Sequence, residues 1–376
     1  MSTAAIICEY DPFHNGHEYL IRTARDITGC DGILCIMSGN YVQRGTPAIY
    51  DKYFRAECAL RAGADLVLEI PAMFSSSSAR EFASCAVRIA MNSGIVDYLV
   101  FGVEDEISSD DLEEEASLSE NPEKSEKIRS LLASGATYPA AITSAGLSKE
   151  KLSSNNILAV EYLKALNSLH SSILPVPVKR QGDGYSLPVP TGSRYASATA
   201  LRELIGSGKE ISAFVPSYAL PGKMPFVHPD MMTSLLQARL MDRDDLTCYL
   251  DVSKEIAGRL MKRRNHIMTF SERVDDTKTK QYTRTRIQRA LLHIALGIRK
   301  EDFERTKTDG YVSCLRVLGL RKGSPVASAL KKKASLPVAA RTAPYRDALK
   351  NEIYCDQLYY SLTGSKGEFE RSPVIL

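Results

Sequence analysis

The sequence contains no tryptophan and no pair of cysteines with Cys-x-x-Cys spacing. Without tryptophan, burial must rest on leucine, isoleucine, valine, tyrosine and phenylalanine, and the 376-residue chain has an ordinary apolar fraction of 44%. The eight cysteines lie apart, and most of them stand in apolar surroundings. We therefore expect buried, reduced thiols.

Long apolar runs are also missing. No stretch reaches the roughly 18 apolar residues that span a bilayer, and the N-terminus lacks a basic region followed by a long apolar segment. These absences predict a cytoplasmic protein without membrane association.

Net charge is small, and at +3 it does not by itself imply nucleic-acid binding. The distribution of charge is more informative. Residues 104–126 carry eleven acidic side chains against one lysine, whereas residues 254–300 carry thirteen lysines or arginines against four acids. This asymmetry predicts that the C-terminal part faces a polyanion.

Short apolar runs alternate with helix-like segments through the first hundred residues. The strand-like runs are 4–10, 32–38, 64–70 and 97–103, and the helix-like segments are 17–28, 50–62 and 79–93. This alternation predicts an α/β fold with a parallel sheet that is covered on both faces. A helix over 155–166 and a strand over 172–180 extend the pattern, and 181–197 has the composition of a mobile loop. Either Ser197 or Thr199 would cap a helix that Gly206 ends.

Two domains follow from this organisation. We predict a Rossmann-like catalytic domain over 1–210, with a polar, partly helical insertion at about 104–152. A mostly helical, basic domain would occupy 211–376.

Two of the six histidines flank a glycine just after the first strand, in His14-Asn15-Gly16-His17. A tight glycine turn that opens into a helix is a place where backbone N–H groups meet phosphate. Imidazoles there would donate hydrogen bonds to phosphoryl oxygens and to a departing pyrophosphate. Two alternatives stay open: metal binding, for which the sequence shows no convincing third ligand, and structural capping of the turn.

This four-residue motif resembles the HxGH signature of the class I aminoacyl-tRNA synthetase and nucleotidyltransferase superfamily. Further segments occur in the order of one family: "EYDPFHNGHEYLI", "MSGNYVQRGTPAIYDKYFRAECALRAGADLVLEIP", "NNILAVEYLKAL", "YASATALR" and "TKQYTRTRIQRALLHIALGI". Over nearly its whole length, the chain resembles the tRNA(Met) cytidine acetate ligase family.

The resemblance implies an enzyme, a ligase that forms acetyl-adenylate from ATP and acetate and releases pyrophosphate. The acetyl group would then pass to N4 of the wobble cytidine of elongator tRNA(Met), giving N4-acetylcytidine. ATP is thus an expected substrate. The sequence does not indicate whether Mg²⁺ is needed, what the oligomeric state is, or which residues close the acetate pocket.

The resemblance also implies the site residues. His14 and His17 would be catalytic, stabilising the α-phosphoryl transition state and the leaving pyrophosphate. The implied ATP-binding residues are Ile7, Cys8, Glu9, Tyr10, Asp11, Pro12, Phe13, His14, Asn15, Gly16, His17, Glu18, Tyr19, Leu20, Gly102, Asn156 (with Asn155 as the alternative), Arg180, Ser197, Thr199 and Arg202. In the loop at 38–45, Gln43 and Arg44 are candidates for contacts to acetate or tRNA.

Asp11 departs from the family pattern, in which we expect asparagine. A negative charge near the triphosphate is unfavourable unless it is paired with a cation or directed at a ribose hydroxyl or a backbone N–H. The role of this position is therefore open.

Basic residues concentrate at 261–266 and 277–297. There the cations would follow phosphates, and Tyr282 would stack on an unpaired base of an anticodon loop. The predicted tRNA contacts are Arg263, Arg264, Lys280, Arg284, Arg286 and Arg289.

Two other functions compete with the ligase. A small-molecule adenylyltransferase would use the same HxGH chemistry on a phosphate monoester, and acid-dependent pyrophosphate release separates it from a ligase. A non-catalytic RNA-binding protein would bind RNA without turning over ATP, and the intact HxGH motif argues against it.

Overall fold

A computed structural model describes residues 1–104, 154–180 and 194–376 of the chain. Between 104 and 154 it also describes 112, 113, 116, 117, 122–134, 136, 140, 141 and 144. Much of the predicted polar insertion at 104–152, and residues 181–193 of the predicted loop, lie outside the described residues.

The core of the fold is one mixed, mostly parallel sheet in the order β10-β8-β5-β2-β1-β6-β7, with β9 paired to β8. The strands of this sheet are β1 (Thr3–Cys8), β2 (Gly32–Ser38), β5 (Leu66–Ile70), β6 (Tyr98–Val103), β7 (Leu174–Lys179), β8 (Leu315–Leu320), β9 (Val338–Ala339) and β10 (Val374–Ile375). Strands β3 (Tyr41–Val42) and β4 (Thr46–Pro47) pair antiparallel in a separate two-stranded sheet. The run β5-β2-β1-β6-β7 is parallel throughout. The predicted α/β architecture is confirmed.

The C-terminal part contributes to the same sheet. Strand β8 pairs antiparallel with β5, and β10 pairs parallel with β8. Without β8, β5 would be an edge strand with unpaired backbone groups, and β8 covers that edge. The sheet therefore draws strands from both sides of the boundary predicted near residue 210, and the boundary itself stays a prediction.

Helices flank the sheet and make up most of the C-terminal part. They are α1 (Asn15–Thr28), α2 (Lys52–Arg61), α3 (Ala72–Ser75), α4 (Ala79–Ser93), α5 (Pro122–Ala133), α6 (Ser154–Ser168), α7 (Ala198–Gly206), α8 (Thr233–Asp242), α9 (Lys254–Lys262), α10 (Phe270–Thr277), α11 (Arg284–Leu296), α12 (Lys300–Thr308), α13 (Pro325–Lys333) and α14 (Lys350–Thr363). Ser197 caps α7 by accepting a hydrogen bond from the N–H of Ala200. Among the described helices, none has the length and apolarity to cross a membrane.

All eight cysteines are free thiols, as the sequence predicts. Seven of them are buried, and Cys248 is half-buried.

A buried ionic cluster joins α2 to the C-terminal elements. The ammonium of Lys52, which is fully buried, lies 2.9 Å from Glu69, 2.5 Å from Asp356 on α14 and 3.3 Å from Glu368. Arg316 on β8 reaches the same Glu368 carboxylate at 2.7 Å. Burial lowers the pKa of Lys52, but the three carboxylates outweigh it and raise the pKa well above its usual value. The lysine therefore stays charged.

Replacing Lys52 tests this cluster. In Lys52→Met the three carboxylates lose their shared cation while they remain buried, so we expect the free energy of unfolding to fall by about 3–5 kcal/mol. Urea denaturation measures the change. The matched control is Arg61→Met, which removes an exposed ion pair with Glu57 on the same helix and should cost less than about 1 kcal/mol. If both variants lose the same small amount of unfolding free energy, the buried cluster does not stabilise the fold.

Candidate active site

A cavity of about 540 Å³ opens at the carboxyl ends of the central strands. Its walls come from the end of β1 and the turn that follows, the first turns of α1, the ends of β6 and β7, and the start of α7. Gln43 and Arg44, from the loop between β3 and β4, close another side. Ligands of open α/β sheets bind at this edge, and the volume suits a small ligand or cofactor.

The two histidines form the entrance to α1. Nδ1 of His14 accepts a hydrogen bond from the N–H of Gly16 at 3.1 Å, and Nδ1 of His17 accepts one from the N–H of His14 at 3.3 Å. Their rings stack with centroids 3.6 Å apart. Because both Nδ1 atoms accept, each neutral ring carries its proton on Nε2.

Nε2 of His14 is buried and has no hydrogen-bond partner among the described residues. Since His14 lines the cavity, this N–H is a donor available to a ligand. The sequence leaves open whether the histidines cap the turn. His14 does cap it, but only through Nδ1, so its Nε2–H can still donate to a ligand.

Both imidazoles are neutral at neutral pH. Burial lowers the pKa of His14 to about 3, and the positive charges of Arg180 and Arg202 contribute. Burial likewise lowers the pKa of His17, helped by His14 and Arg180. The positive charge of the site thus comes from guanidinium groups. No three His, Cys, Asp or Glu side chains in the described part of the chain are grouped to hold a metal.

Asp11 is paired in two ways. Its Oδ1 accepts a hydrogen bond from the backbone N–H of Ile49 at 2.7 Å, and its Oδ2 lies 3.3 Å from Nη1 of Arg202. The same Nη1 donates to the backbone carbonyl of Asp11 at 2.5 Å. The carboxylate therefore meets two of the conditions under which a negative charge is tolerated here, and it holds Arg202 at the turn.

Two glycines make room for side chains that line the cavity. A Cβ at Gly16 would lie 3.0 Å from Cε1 of His14, and one at Gly102 would lie 3.1 Å from Cγ of Arg180. In the structure, the atoms nearest to a Cβ at these two positions belong to the side chains of His14 and Arg180.

Known proteins share this architecture. The family model described as HIGH Nucleotidyl Transferase matches residues 1–372. A crystal structure of Thermotoga maritima TmcAL bound with alpha-thio ATP superposes with a TM-score of 0.89, and the apo form does so with 0.91. Each is 28% identical, with 100% of both chains covered.

Curated relatives agree with this match. The tRNA(Met) cytidine acetate ligase of Acetivibrio thermocellus is 35% identical over 96% of this chain and 94% of its own length. The protein of that name from Clostridium novyi is 34% identical, with 100% of both chains covered. The chain belongs to the tRNA(Met) cytidine acetate ligase family. The resemblance drawn from the sequence is thereby confirmed.

Most of the ATP-binding residues that this family implies meet in the cavity. Those that line it are Ile7, Cys8, Glu9, Tyr10, Asp11, His14, Gly16, His17, Tyr19, Leu20, Gly102, Arg180, Ser197 and Arg202. Gln43 and Arg44 line it as well. The strand-end turn, α7 and the β6–β7 edge thus converge as the family membership leads us to expect.

Six of the implied residues do not line it: Pro12, Phe13, Asn15, Glu18, Asn156 and Thr199. Several of these have structural partners instead. The amide of Asn15 donates to the carbonyl of Arg194 at 2.8 Å, and Glu18 accepts from Tyr218 at 2.8 Å. Thr199 accepts from Arg202 at 3.2 Å.

Asn155 and Asn156 differ in burial, and this difference decides which side chain lines the cavity. Asn156 is 2% exposed, and its Oδ1 accepts a hydrogen bond from the N–H of Glu104 at 3.0 Å. Asn155, one residue earlier, lines the cavity and donates to the side chain of Glu104. The structure therefore places Asn155 at the cavity and Asn156 behind it as a brace.

Sequence reasoning missed the aromatic and apolar wall. Phe101, Leu158 and Tyr162 line the cavity near Gly102, and the rings of Phe101 and Tyr162 have centroids 5.7 Å apart. A signal was available, because residues 155, 158 and 162 recur at the spacing of one helical face. Lys179 and Tyr195 also line the cavity, and no pattern in the sequence marks them.

The predicted tRNA contacts divide into two groups. Arg286 and Arg289 both pair with Asp251, at 3.2 and 3.3 Å, and the Arg289 side chain is only 12% exposed. The other four lie at the surface. Lys280 is exposed, and Arg263, Arg264 and Arg284 form ion pairs with surface aspartates.

Asp11→Asn tests the electrostatic role of this position. Removing the charge reduces repulsion of the triphosphate and releases Arg202 from its ion pair. We therefore expect the affinity for ATP to rise about two- to fivefold. This corresponds to a change in binding free energy of roughly 0.5–1 kcal/mol, the range for an ion pair with a partly exposed partner. Calorimetric titration with a non-hydrolysable ATP analogue measures this. The control, Asp26→Asn on the exposed face of α1, makes the same charge change and should leave affinity unaltered. Weaker binding in Asp11→Asn would mean that its placement of Arg202 outweighs its charge.

Proposed function

We propose that the chain is an ATP-dependent ligase that activates acetate and transfers the acetyl group to N4 of the wobble cytidine of elongator tRNA(Met). Its curated relatives are named tRNA(Met) cytidine acetate ligases, and a solved structure of the same fold binds alpha-thio ATP. The observation that carries the proposal is the stacked pair of neutral imidazoles at the start of α1, with a free Nε2–H facing the cavity.

In the first step, an oxygen of acetate attacks the α-phosphorus of ATP, and pyrophosphate leaves. Negative charge then grows on the phosphoryl oxygens and on the leaving group. The Nε2–H groups of His14 and His17, the N-terminus of α1 and the guanidinium groups of Arg180 and Arg202 are placed to stabilise that charge. Because the donors are already oriented by their Nδ1 hydrogen bonds, little reorganisation is needed.

In the second step, the cytidine amine attacks the carbonyl carbon of the bound acetyl-adenylate, and AMP leaves. The chain needs no covalent acyl intermediate for this. Cys8 lines the cavity, but burial raises the pKa of its thiol well above the usual value, and the neighbouring Cys35 adds to the shift. A protonated thiol is a poor nucleophile, so Cys8 serves as part of the wall.

We assign the two ends of ATP from the character of the walls. The apolar side, with Phe101, Leu158 and Tyr162 around Gly102, suits the adenine ring. The histidines and Arg202 then hold the α-phosphate. Acetate occupies the remaining side, toward Gln43 and Arg44.

Replacing His14 tests the first step. We choose His14→Ser, because serine also caps a helix and is too short to reach the cavity. Acetate-dependent exchange of labelled pyrophosphate into ATP should fall by about 10²–10³-fold, as for the loss of one oriented donor. Thermal melting should show a folded protein.

The same preparations test the function as a whole. With labelled acetate and unmodified elongator tRNA(Met), the wild type should place label on RNA only when ATP is present. ATP binding without any label on RNA would contradict the ligase and point to a phosphate-monoester acceptor.

We propose further that the exposed cations near the start of α11 contact tRNA phosphates. Support comes from their surface position, since Lys280 precedes α11, Arg284 is its first residue, and both remain accessible. The inward ion pair between Arg289 and Asp251 suits a structural role for Arg289, and its backbone lies against the loop that reaches the cavity. The RNA surface would therefore lie beside the acetate end of the cavity.

Lys280→Glu tests this surface. Losing one phosphate contact should weaken tRNA binding about three- to tenfold and reduce the slope of log affinity against log salt by about 1. Filter binding over a salt series measures both quantities. Lys223→Glu, another exposed lysine outside the basic segments, is the control for net charge. If Lys280→Glu has the same tRNA affinity and the same salt slope as Lys223→Glu, Lys280 does not contact tRNA.

A further inference from the structure

Glu9 is a carboxylate at the cavity with one oxygen fixed by hydrogen bonds and the other without a hydrogen-bond donor in the described part of the chain. It follows β1 directly and lines the cavity. Its Oε1 accepts hydrogen bonds from the backbone N–H of Gln43 at 2.7 Å and from the hydroxyl of Ser38 at 3.4 Å. Among the described residues, none donates a hydrogen bond to Oε2. The side chain is therefore oriented by the protein, while one lone-pair-bearing oxygen is available to a substrate.

The sheet order places Glu9 on the acceptor side of the site. Strand β2 flanks β1 on one side, and β6 and β7 flank it on the other. The apolar wall that we assign to adenine lies on the β6 side. Glu9 is tied instead to Ser38, at the end of β2, and to Gln43, in the loop beyond it. Its carboxylate is thus held from the β2 side of the cavity.

The loop that holds Glu9 also rests on the basic helix α11. Gly45 has a φ of +80°, and a Cβ there would lie 2.3 Å from the backbone nitrogen of Arg289. This close approach means that the segment from Gln43 to Gly45 connects the cavity with the helix beside the proposed RNA surface.

We propose that Glu9 is the general base for acetyl transfer, a role that rests on the proposed ligase function. The lone pair of the cytidine N4 amine forms a bond to the carbonyl carbon of acetyl-adenylate. The bond from that carbon to the phosphate oxygen breaks, and AMP leaves with the electron pair. Oε2 of Glu9 takes the proton that N4 loses, and it returns this proton to solvent after AMP departs. Oε1, already saturated by two donors, keeps the carboxylate in place.

The surroundings of Glu9 raise the pKa of its carboxyl above the usual value. Burial raises the pKa of Glu9, and the charge of Asp11 acts in the same direction. The Gln43 amide and the guanidinium groups of Arg44 and Arg202 oppose the shift. A carboxylate with a raised pKa accepts a proton more readily than an ordinary surface glutamate does.

Glu9→Gln separates the two half-reactions. Glutamine retains an oxygen that can accept from Gln43 and Ser38, but it cannot take a proton. Because Glu9 lines the cavity, we expect some loss of acetate-dependent pyrophosphate exchange, but a much smaller loss than that of transfer. Transfer from chemically prepared acetyl-adenylate to unmodified elongator tRNA(Met) should fall by about 10²–10³-fold, the range of general-base catalysis. Glu57→Gln, on the solvent side of α2, is the control and should leave both rates unchanged.

The pH profile distinguishes a base from a structural residue. In the wild type the transfer rate should rise with pH as Glu9 loses its proton and then level off, and Glu9→Gln should lack this limb. Glu9→Asp keeps a carboxylate and should retain exchange with a partly restored, pH-dependent transfer. If Glu9→Gln does not fold, the pH profile of Glu9→Asp tests by itself whether Glu9 is the base.

Two results would overturn the assignment while the ligase function stands: an equal loss of exchange and transfer, or wild-type transfer in Glu9→Gln. If the wild-type protein itself places no acetyl group on RNA, the proposed function fails, and the role of Glu9 fails with it.

Discussion

A single buried guanidinium holds the strand ends around which the site is built. Arg55, on α2, donates to the backbone carbonyl of Glu9 at 2.5 Å and to that of Ser38 at 3.1 Å, and it also reaches the carbonyl of Gly39. These carbonyls lie where β1 and β2 end and their chains diverge, so the ladder no longer satisfies them. An unpaired buried carbonyl is costly. Arg55 removes that cost and thereby sets the spacing between the two loops that form one wall of the cavity.

Lys52, one turn earlier on α2, extends this support to the C-terminal elements. It pairs with Asp356 on α14, and Asn40, in the loop after β2, donates to the same aspartate at 2.8 Å. The loop that carries Gln43 and Arg44 to the cavity is thus anchored to a helix more than 300 residues away in sequence. Together with the contact between Gly45 and α11, this anchor makes the nucleotide cavity and the basic face parts of one packed structure. Removal of either buried partner leaves charge without compensation.

Local chemistry explains why much of this protein was predictable. Continuous apolar runs bounded by helices mark parallel strands, and β1, β2, β5 and β6 lie where these runs predict them. The HxGH turn is equally local, since Gly16, His14 and His17 meet through hydrogen bonds that span three residues or fewer. By contrast, helical spacing groups Asn155 with residues 158 and 162, but only the packing of α6 shows that this face lines the cavity while Asn156 is buried behind it. Nor does any local pattern show that Arg289 pairs with Asp251.

The sequence by itself determined the family, the α/β class, the free cysteines and the HxGH turn after β1, because each depends on residues close together in the chain. Tertiary structure alone decided the state of the charges. The pairing of Asp11 with Arg202 joins residues 191 positions apart, and burial is what keeps the two imidazoles neutral. It also decided that β8 completes the sheet and that Gln43 and Ser38 hold Oε1 of Glu9 at the cavity. Ion pairing, desolvation and strand pairing depend on which residues are close in space. Residues far apart in the sequence can be neighbours in the fold, and the order of residues does not show which ones are.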